Sequence, residues 1–170
     1  MRRLFLLRHA KSSWEDPRLA DHDRPLAPRG RRATKLLREH LRHESVAPAV
    51  VLCSSARRTR ETLERIGPAL AAEVPVRIER ELYAASAQRL LERLRALDDE
   101  VESVLVIGHN PGLELLALCL GGSGEPLAAV RRKFPTGALA TLEFAGSWSE
   151  LAAGSAELTG FVTPKLLAQR

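Results

Sequence analysis

Only two of the 170 residues are cysteines, Cys53 and Cys119, and they form no CxxC pair. That scarcity excludes a disulfide framework and a cysteine-based zinc site. Each cysteine lies in an apolar run and reads as a reduced core residue. No uninterrupted apolar stretch approaches the roughly 18 residues of a membrane helix, so no membrane partner is expected. The run that follows Arg2 and Arg3 is far too brief for a secretory signal, which makes the cytoplasm the expected location. There is no glycine-rich P-loop and no cluster of side chains at metal-ligand spacing, so neither a cofactor nor a metal is expected. No nucleic-acid recognition motif accompanies the positive charge, and no internal repeat or long low-complexity segment interrupts the chain.

What is present is ordinary globular composition, with 45% hydrophobic and 28% charged residues. A chain of this length supports one domain over residues 1–170, burying about 70% of the surface its unfolded form exposes. The 26 Lys and Arg exceed the 21 Asp and Glu, giving a formal charge of +5. Such an excess suits phosphate-bearing ligands, although acidic residues are interspersed along most of the chain.

The hydrophobic pattern alternates strand and helix. Leu4 to Leu7 and Val104 to Ile107 are fully apolar, as strands covered on both faces should be. Val50 to Cys53 is a third such run, and Val74 to Ile78 is a short extended segment. Residues 10–28 lack a steady period and read as a loop with a helical turn. A helix is expected from Arg29 to His43, with Ala33, Leu36, Leu37 and Leu41 on its buried face. Ser54 or Ser55 should cap the next one, whose stripe is Thr59, Thr62, Leu63 and Ile66. Ser86 should cap a helix through Leu97, and Asn110-Pro111 should open one that stops at Gly121-Gly122. Gly137 to Phe144 and Ser147 to Ala152 read as two late strands, with room for an antiparallel edge. The expected fold class is therefore α/β, a three-layer α/β/α sandwich around a mainly parallel central sheet.

Three groups of reactive residues follow the apolar strands. Arg8-His9 ends the first, Ser54 through Arg58 follows the run to Cys53, and Gly108-His109 ends the strand at Ile107. All three fall on the carboxyl side of the inferred sheet, where α/β proteins build their sites. A histidine with an ordinary pKa near 6.5 is available as a nucleophile at neutral pH. Arginines have the planar, multidentate chemistry that phosphoryl oxygens need, supplied here by Arg8 with Arg57, Arg58 or both. His40 and His43 read as surface residues of the first helix, and His22 as a loop residue without a catalytic role.

These motifs resemble the histidine phosphatase superfamily, the phosphoglycerate mutase-like family, and within it the small bacterial SixA-type phosphohistidine phosphatase branch. Leu6-Leu7-Arg8-His9-Ala10-Lys11-Ser12 is similar to the family's N-terminal motif, with Ala10 where glycine is commonest. Asp23-Arg24-Pro25-Leu26 with Arg29-Gly30 fits the same branch. The resemblance continues through Ser54-Ser55-Ala56-Arg57-Arg58-Thr59-Arg60-Glu61-Thr62, Val106 to Pro111, and Lys133-Phe134-Pro135-Thr136-Gly137. It spans about residues 4–144.

The resemblance implies a phosphatase with a phosphohistidine enzyme intermediate on His9. Arg8, Arg58 and His109 would bind the phosphate, and the register of the motif selects Arg58 over Arg57. It implies no metal or cofactor. The general acid of larger members would fall on Glu81, with Asp21, Asp23 and Glu79 as alternatives, and small members can lack it. The implied substrate is phosphohistidine on a protein domain. Open alternatives are a small-metabolite or sugar phosphatase and a noncatalytic phosphate-binding module. The partner is then a phosphorylated protein domain or a small phosphorylated molecule, without nucleic acid.

Overall fold

A computed structural model describes residues 1–170. In chain order it contains β1 (Arg2–Arg8), α1 (Pro28–His43), β2 (Val50–Ser54), α2 (Arg57–Ile66), β3 (Val76–Glu79), α3 (Ala87–Arg95) and β4 (Ser103–Gly108). There follow α4 (Gly112–Leu120), β5 (Gly121–Ser123), α5 (Leu127–Arg132), β6 (Leu139–Phe144), β7 (Ala156–Val162) and α6 (Pro164–Leu167). The seven strands form one sheet in the order β3-β2-β4-β1-β6-β7-β5.

Alternation along the strands divides the core into two layers. Leu4, Leu6, Val50, Leu52, Val104 and Val106 point to one face, where Leu90, Leu94, Leu113 and Leu116 of α3 and α4 cover them. Phe5, Leu7, Val51, Cys53, Leu105 and Ile107 point to the other, against Leu37 and Leu41 of α1 and Ile66 of α2. A strand buried on both faces has no polar positions to spare, which is why these segments read as continuous apolar runs. The α/β sandwich expected from the sequence is the observed fold.

The strand pairing also fixes where the chemistry emerges. β1 pairs in parallel with β4, Arg8 opposite Gly108, so the residues after both strands leave the same edge side by side. β2 lies on the other side of β4, also parallel, which brings Ser54 and the start of α2 to that edge. β6 runs antiparallel to both β1 and β7. The antiparallel strand is therefore inside the sheet and not at its border, as an edge would require.

Several local expectations are corrected. Ser147 to Ala152 is not a strand; residues Trp148–Glu150 form a 3-10 turn, and the last strand is Ala156–Val162. The turn instead buries Trp148 completely, with its indole N–H donating to the Val101 carbonyl at 2.6 Å. Gly121-Gly122 ends α4 but also opens the short β5. The buried stripe of α1 is Gly30, Thr34, Leu37 and Leu41, leaving Leu36 exposed. Cys119 is exposed on α4, one helical turn after the exposed Leu115, whereas Cys53 is buried. α4 is apolar on nearly every side, so composition could not distinguish its inner face from its outer one.

Candidate active site

His9 and His109 meet at the carboxyl edge of β1 and β4, with ring centroids 5.3 Å apart. Both are buried. The Nδ1–H of His9 donates to the Ala10 carbonyl at 2.7 Å, because a carbonyl oxygen can only accept. The lone pair is thereby left on Nε2. Burial, reinforced by the positive charges of Arg58 and Arg8, pushes the His9 pKa down to about 3. The imidazole is neutral at physiological pH, the form in which it is a nucleophile.

His109 has the opposite tautomer. Arg58 Nη2 donates to its Nδ1 at 3.4 Å, so Nε2 carries the proton and donates to Ser54 Oγ at 2.7 Å. Burial and the neighbouring Arg58 lower the His109 pKa to about 4. Ser54 also accepts from the Ala56 N–H at 3.3 Å. The serine thus orients a histidine and does not cap α2, whose N-cap position is Ala56 without a side-chain bond. Asn110 is likewise displaced from the cap of α4 to a position before it. Its Oδ1 accepts from the Glu114 N–H, and its Nδ2 donates to the Phe134 carbonyl at 2.8 Å.

Arg8 and Arg58 flank the two rings. Arg8 donates through Nη1 to the same Phe134 carbonyl at 3.0 Å, while its Nε is buried without a protein partner. Arg58, at the first turn of α2, is buried beneath its exposed neighbour Arg57. It donates to Asp21 twice, from Nη1 to the carbonyl at 2.7 Å and from Nη2 to Oδ2 at 3.0 Å. The structure therefore brings together His9, Arg8, Arg58 and His109, and turns Arg57 outward toward Glu61 at 3.5 Å.

Glu81 is not brought to this cluster. It lies exposed on the 3-10 turn Arg80–Leu82 and makes no hydrogen bond or ion pair. Glu79 is engaged by Arg93 at 2.7 and 2.8 Å, and Asp23 is exposed beside His22. Asp21 is the carboxylate that touches the cluster. Hydrogen bonds from the Tyr83 hydroxyl at 2.5 Å, and from Arg58 and Arg24, hold its pKa down at about 2. Tyr83 packs edge-on against both His22 and His109. Sequence reasoning placed Ser54 in a motif and as a possible cap but did not pair it with His109, and it assigned no role to Tyr83. Tyr83, two residues beyond Glu81, had no periodicity to mark it.

The loop after His9 is held closely. The Ala10 N–H donates to Thr62 Oγ1 at 3.1 Å, tying it to α2. Gly30 at the start of α1 lies so near Lys11 that a Cβ would overlap its carbonyl, which accounts for a glycine there. Trp14 stands 71% exposed on this loop, its ring lying 3.2 Å from the guanidinium carbon of buried Arg24. On the β6 side, the Gly137 N–H donates to the carbonyls of both Arg8 and His9, at 3.1 and 2.9 Å. No group of three or more His, Cys, Asp or Glu side chains is arranged to hold a metal ion.

The profile of the histidine phosphatase superfamily (branch 1) matches residues 4–90. An uncharacterized protein of Mycobacterium leprae is 43% identical over 167 residues, covering 94% of this chain and all of that protein. A solved structure from Nakamurella multipartitia, described as a candidate phosphohistidine phosphatase SixA, is 34% identical and superposes with a TM-score of 0.83 over 96% of each chain. The protein histidine phosphatase SixA in complex with tungstate is 27% identical, with a TM-score of 0.78 over 96% of this chain and 97% of that one.

Proposed function

The chain belongs to the histidine phosphatase superfamily (branch 1) and is a phosphatase of it; from that premise we propose that it removes phosphate from phosphohistidine on proteins, through a phosphorylated His9. Similarity to structures assigned as phosphohistidine phosphatases supports the substrate class. The observation that carries the reading is the state of the carboxylates. The one touching the cluster, Asp21, is held ionised, and Glu81 is exposed and bonds to none of its groups. Neither supplies the cluster with a hydrogen-bonded protonated carboxyl group.

Phosphohistidine does not require that help. With its second ring nitrogen protonated, the substrate imidazole leaves as a neutral molecule when its phosphorus–nitrogen bond breaks. In the first step His9 Nε2 attacks phosphorus, and the bonding pair of the old bond goes to the departing imidazole. In the second, water attacks phosphorus and His9 is released neutral, its proton kept on Nδ1 in the hydrogen bond to the Ala10 carbonyl. Dihydrogen phosphate, carrying the oxygen and protons of that water, leaves to solvent. Arg8, with its free Nε, and Arg58 would neutralise the equatorial oxygens. A bound dianion would favour protonation of His109, which then becomes a further donor. Every group needed is a side chain of this protein, so turnover is expected without added metal.

The test compares kcat/KM for phosphohistidine, an aryl phosphate and sugar phosphates at one pH, using chelator-treated protein. Phosphohistidine should be the best substrate, and Glu81→Gln should change its turnover by less than about 2-fold. A preference for sugar phosphates, with a large loss in Glu81→Gln, would move the protein to the small-metabolite class.

A further inference from the structure

The outward face of α2 carries a second basic feature that phosphoryl transfer does not use. Arg31, Arg57, Arg60 and Arg65, with Glu61 and Glu64, line an open cleft of about 470 Å3 between α1 and α2. Three of these arginines are each held by a single protein bond that involves no carboxylate. Arg31 Nη1 donates to the Leu26 carbonyl at 3.1 Å, Arg60 Nε to the Ser55 carbonyl at 2.9 Å, and Arg65 Nε to Thr34 Oγ1 at 3.2 Å. Of the four, Arg57 alone forms an ion pair, with Glu61. An arginine anchored through one nitrogen keeps the rest of its planar fork oriented for bidentate contact with carboxylates.

The cleft shares helix α2 with the catalytic cluster. Arg57 directly precedes Arg58, and Ser55, whose carbonyl anchors Arg60, meets His22 Nε2 through its hydroxyl at 2.9 Å. A domain seated on the cleft would lie beside the mouth of the phosphate pocket.

We propose that this arginine-lined cleft is the docking surface for an acidic protein domain whose phosphorylated side chain enters the adjacent pocket. The inference rests on the phosphohistidine reading above and names how its partner is selected. Charge complementarity favours a protein over a nucleic acid. Glu61 and Glu64 share the cleft with the arginines, so a uniformly anionic backbone would meet like charge. A protein surface can instead set donors against the glutamates and carboxylates against the free forks. Arginine is also over-represented among the anchors of protein interfaces.

The experiment measures kcat and KM for three substrates at low and high salt. They are an aryl phosphate, a short uncharged peptide phosphorylated on one histidine, and a small acidic protein domain phosphorylated on one histidine with phosphoramidate. The wild-type protein is compared with the double variants Arg60→Glu/Arg65→Glu and Arg60→Gln/Arg65→Gln. Charge reversal should raise KM for the acidic domain by roughly 10-fold and leave kcat, the peptide and the aryl phosphate unaffected. High salt should remove most of the wild-type preference for the domain. If the reversal variant does not fold, the glutamine pair gives the reading, with an expected loss of about 3-fold on the domain alone. Equal KM values for wild type and variants on the domain would overturn docking while peptide turnover upheld the phosphohistidine reading. Wild-type failure on both phosphohistidine substrates, with aryl phosphate still hydrolysed, would overturn both. Oligonucleotide binding that is lost in the variants would reassign the cleft to nucleic acid.

Discussion

The two flanks of β1 serve the site in different ways. On the parallel flank, β4 and β2 deliver side chains: His109 emerges beside His9, with Ser54 and Arg58 behind it. On the antiparallel flank, the chain entering β6 delivers backbone. The Phe134 carbonyl receives Arg8 and Asn110, and the Gly137 N–H spans the carbonyls of Arg8 and His9. On the proposed mechanism, one flank carries the reacting groups and the other holds them in place. Side chains that react are constrained in identity, whereas a carbonyl can be supplied by any residue that puts the chain there.

The largest effect should come from the parallel flank. His9→Ala should lower kcat by at least about 1,000-fold and abolish an acid-labile phosphoenzyme, seen by rapid-quench labelling, while the circular dichroism spectrum is retained. An unchanged rate would remove His9 as the nucleophile. Next in size is the contrast between neighbouring arginines. Arg58→Ala should cost roughly 100-fold in kcat/KM on a small phosphohistidine peptide, against less than about 3-fold for Arg57→Ala. The reverse order would place the clamp one residue earlier.

A third test concerns the histidines of the parallel flank in the folded protein. Their pKa values are held below the ordinary 6.5, at about 3 for His9 and about 4 for His109. Between those limits the unfolded chain binds protons that the folded protein refuses. Stability should therefore be complete above pH 6.5 and fall steadily toward pH 4, by an amount on the order of a few kcal/mol. Urea melts of wild type and of a His9→Gln/His109→Gln variant would measure it. A similar slope in both would show that other groups dominate.

The smallest effect tests the antiparallel flank. Gly137 has φ +76°, and a Cβ would stand 2.8 Å from Pro164 Cγ. Gly137→Ala should lower stability by about 1–3 kcal/mol, with a smaller change in KM than in kcat as the His9 loop loses its tether. Full stability in that variant would show the β6 entrance to be replaceable.

The same division explains what could be read from the sequence. β1, β2 and β4 were legible because burial on both faces leaves an unbroken apolar run, and their carboxyl ends located His9, Arg58 and His109. The motif register distinguished Arg58 from Arg57, and the buried face of α2 agrees. Asp21 and Tyr83 were less visible, since their positions depend on a loop and a 3-10 turn that have no period. Ser54 and Asn110 read as caps because cap and active-site roles use the same short polar side chains. Trp148 was placed in a strand because alternation over five or six residues does not distinguish a strand from a turn that buries one large ring.

The stacking of Trp14 on Arg24 has an optical consequence. The chain has two tryptophans, Trp14 in the solvent-exposed loop and Trp148 fully buried. Their environments separate their emission, so a Trp148→Phe protein would fluoresce from Trp14 alone. Arg24 under that ring also holds Asp21, which in turn holds Arg58. A phosphate that draws Arg58 from Asp21 therefore shifts the charges beneath an indole that water and iodide can reach. Titrating that variant with phosphate should therefore change Trp14 emission, and an unchanged spectrum would show that the pocket and the loop are not coupled.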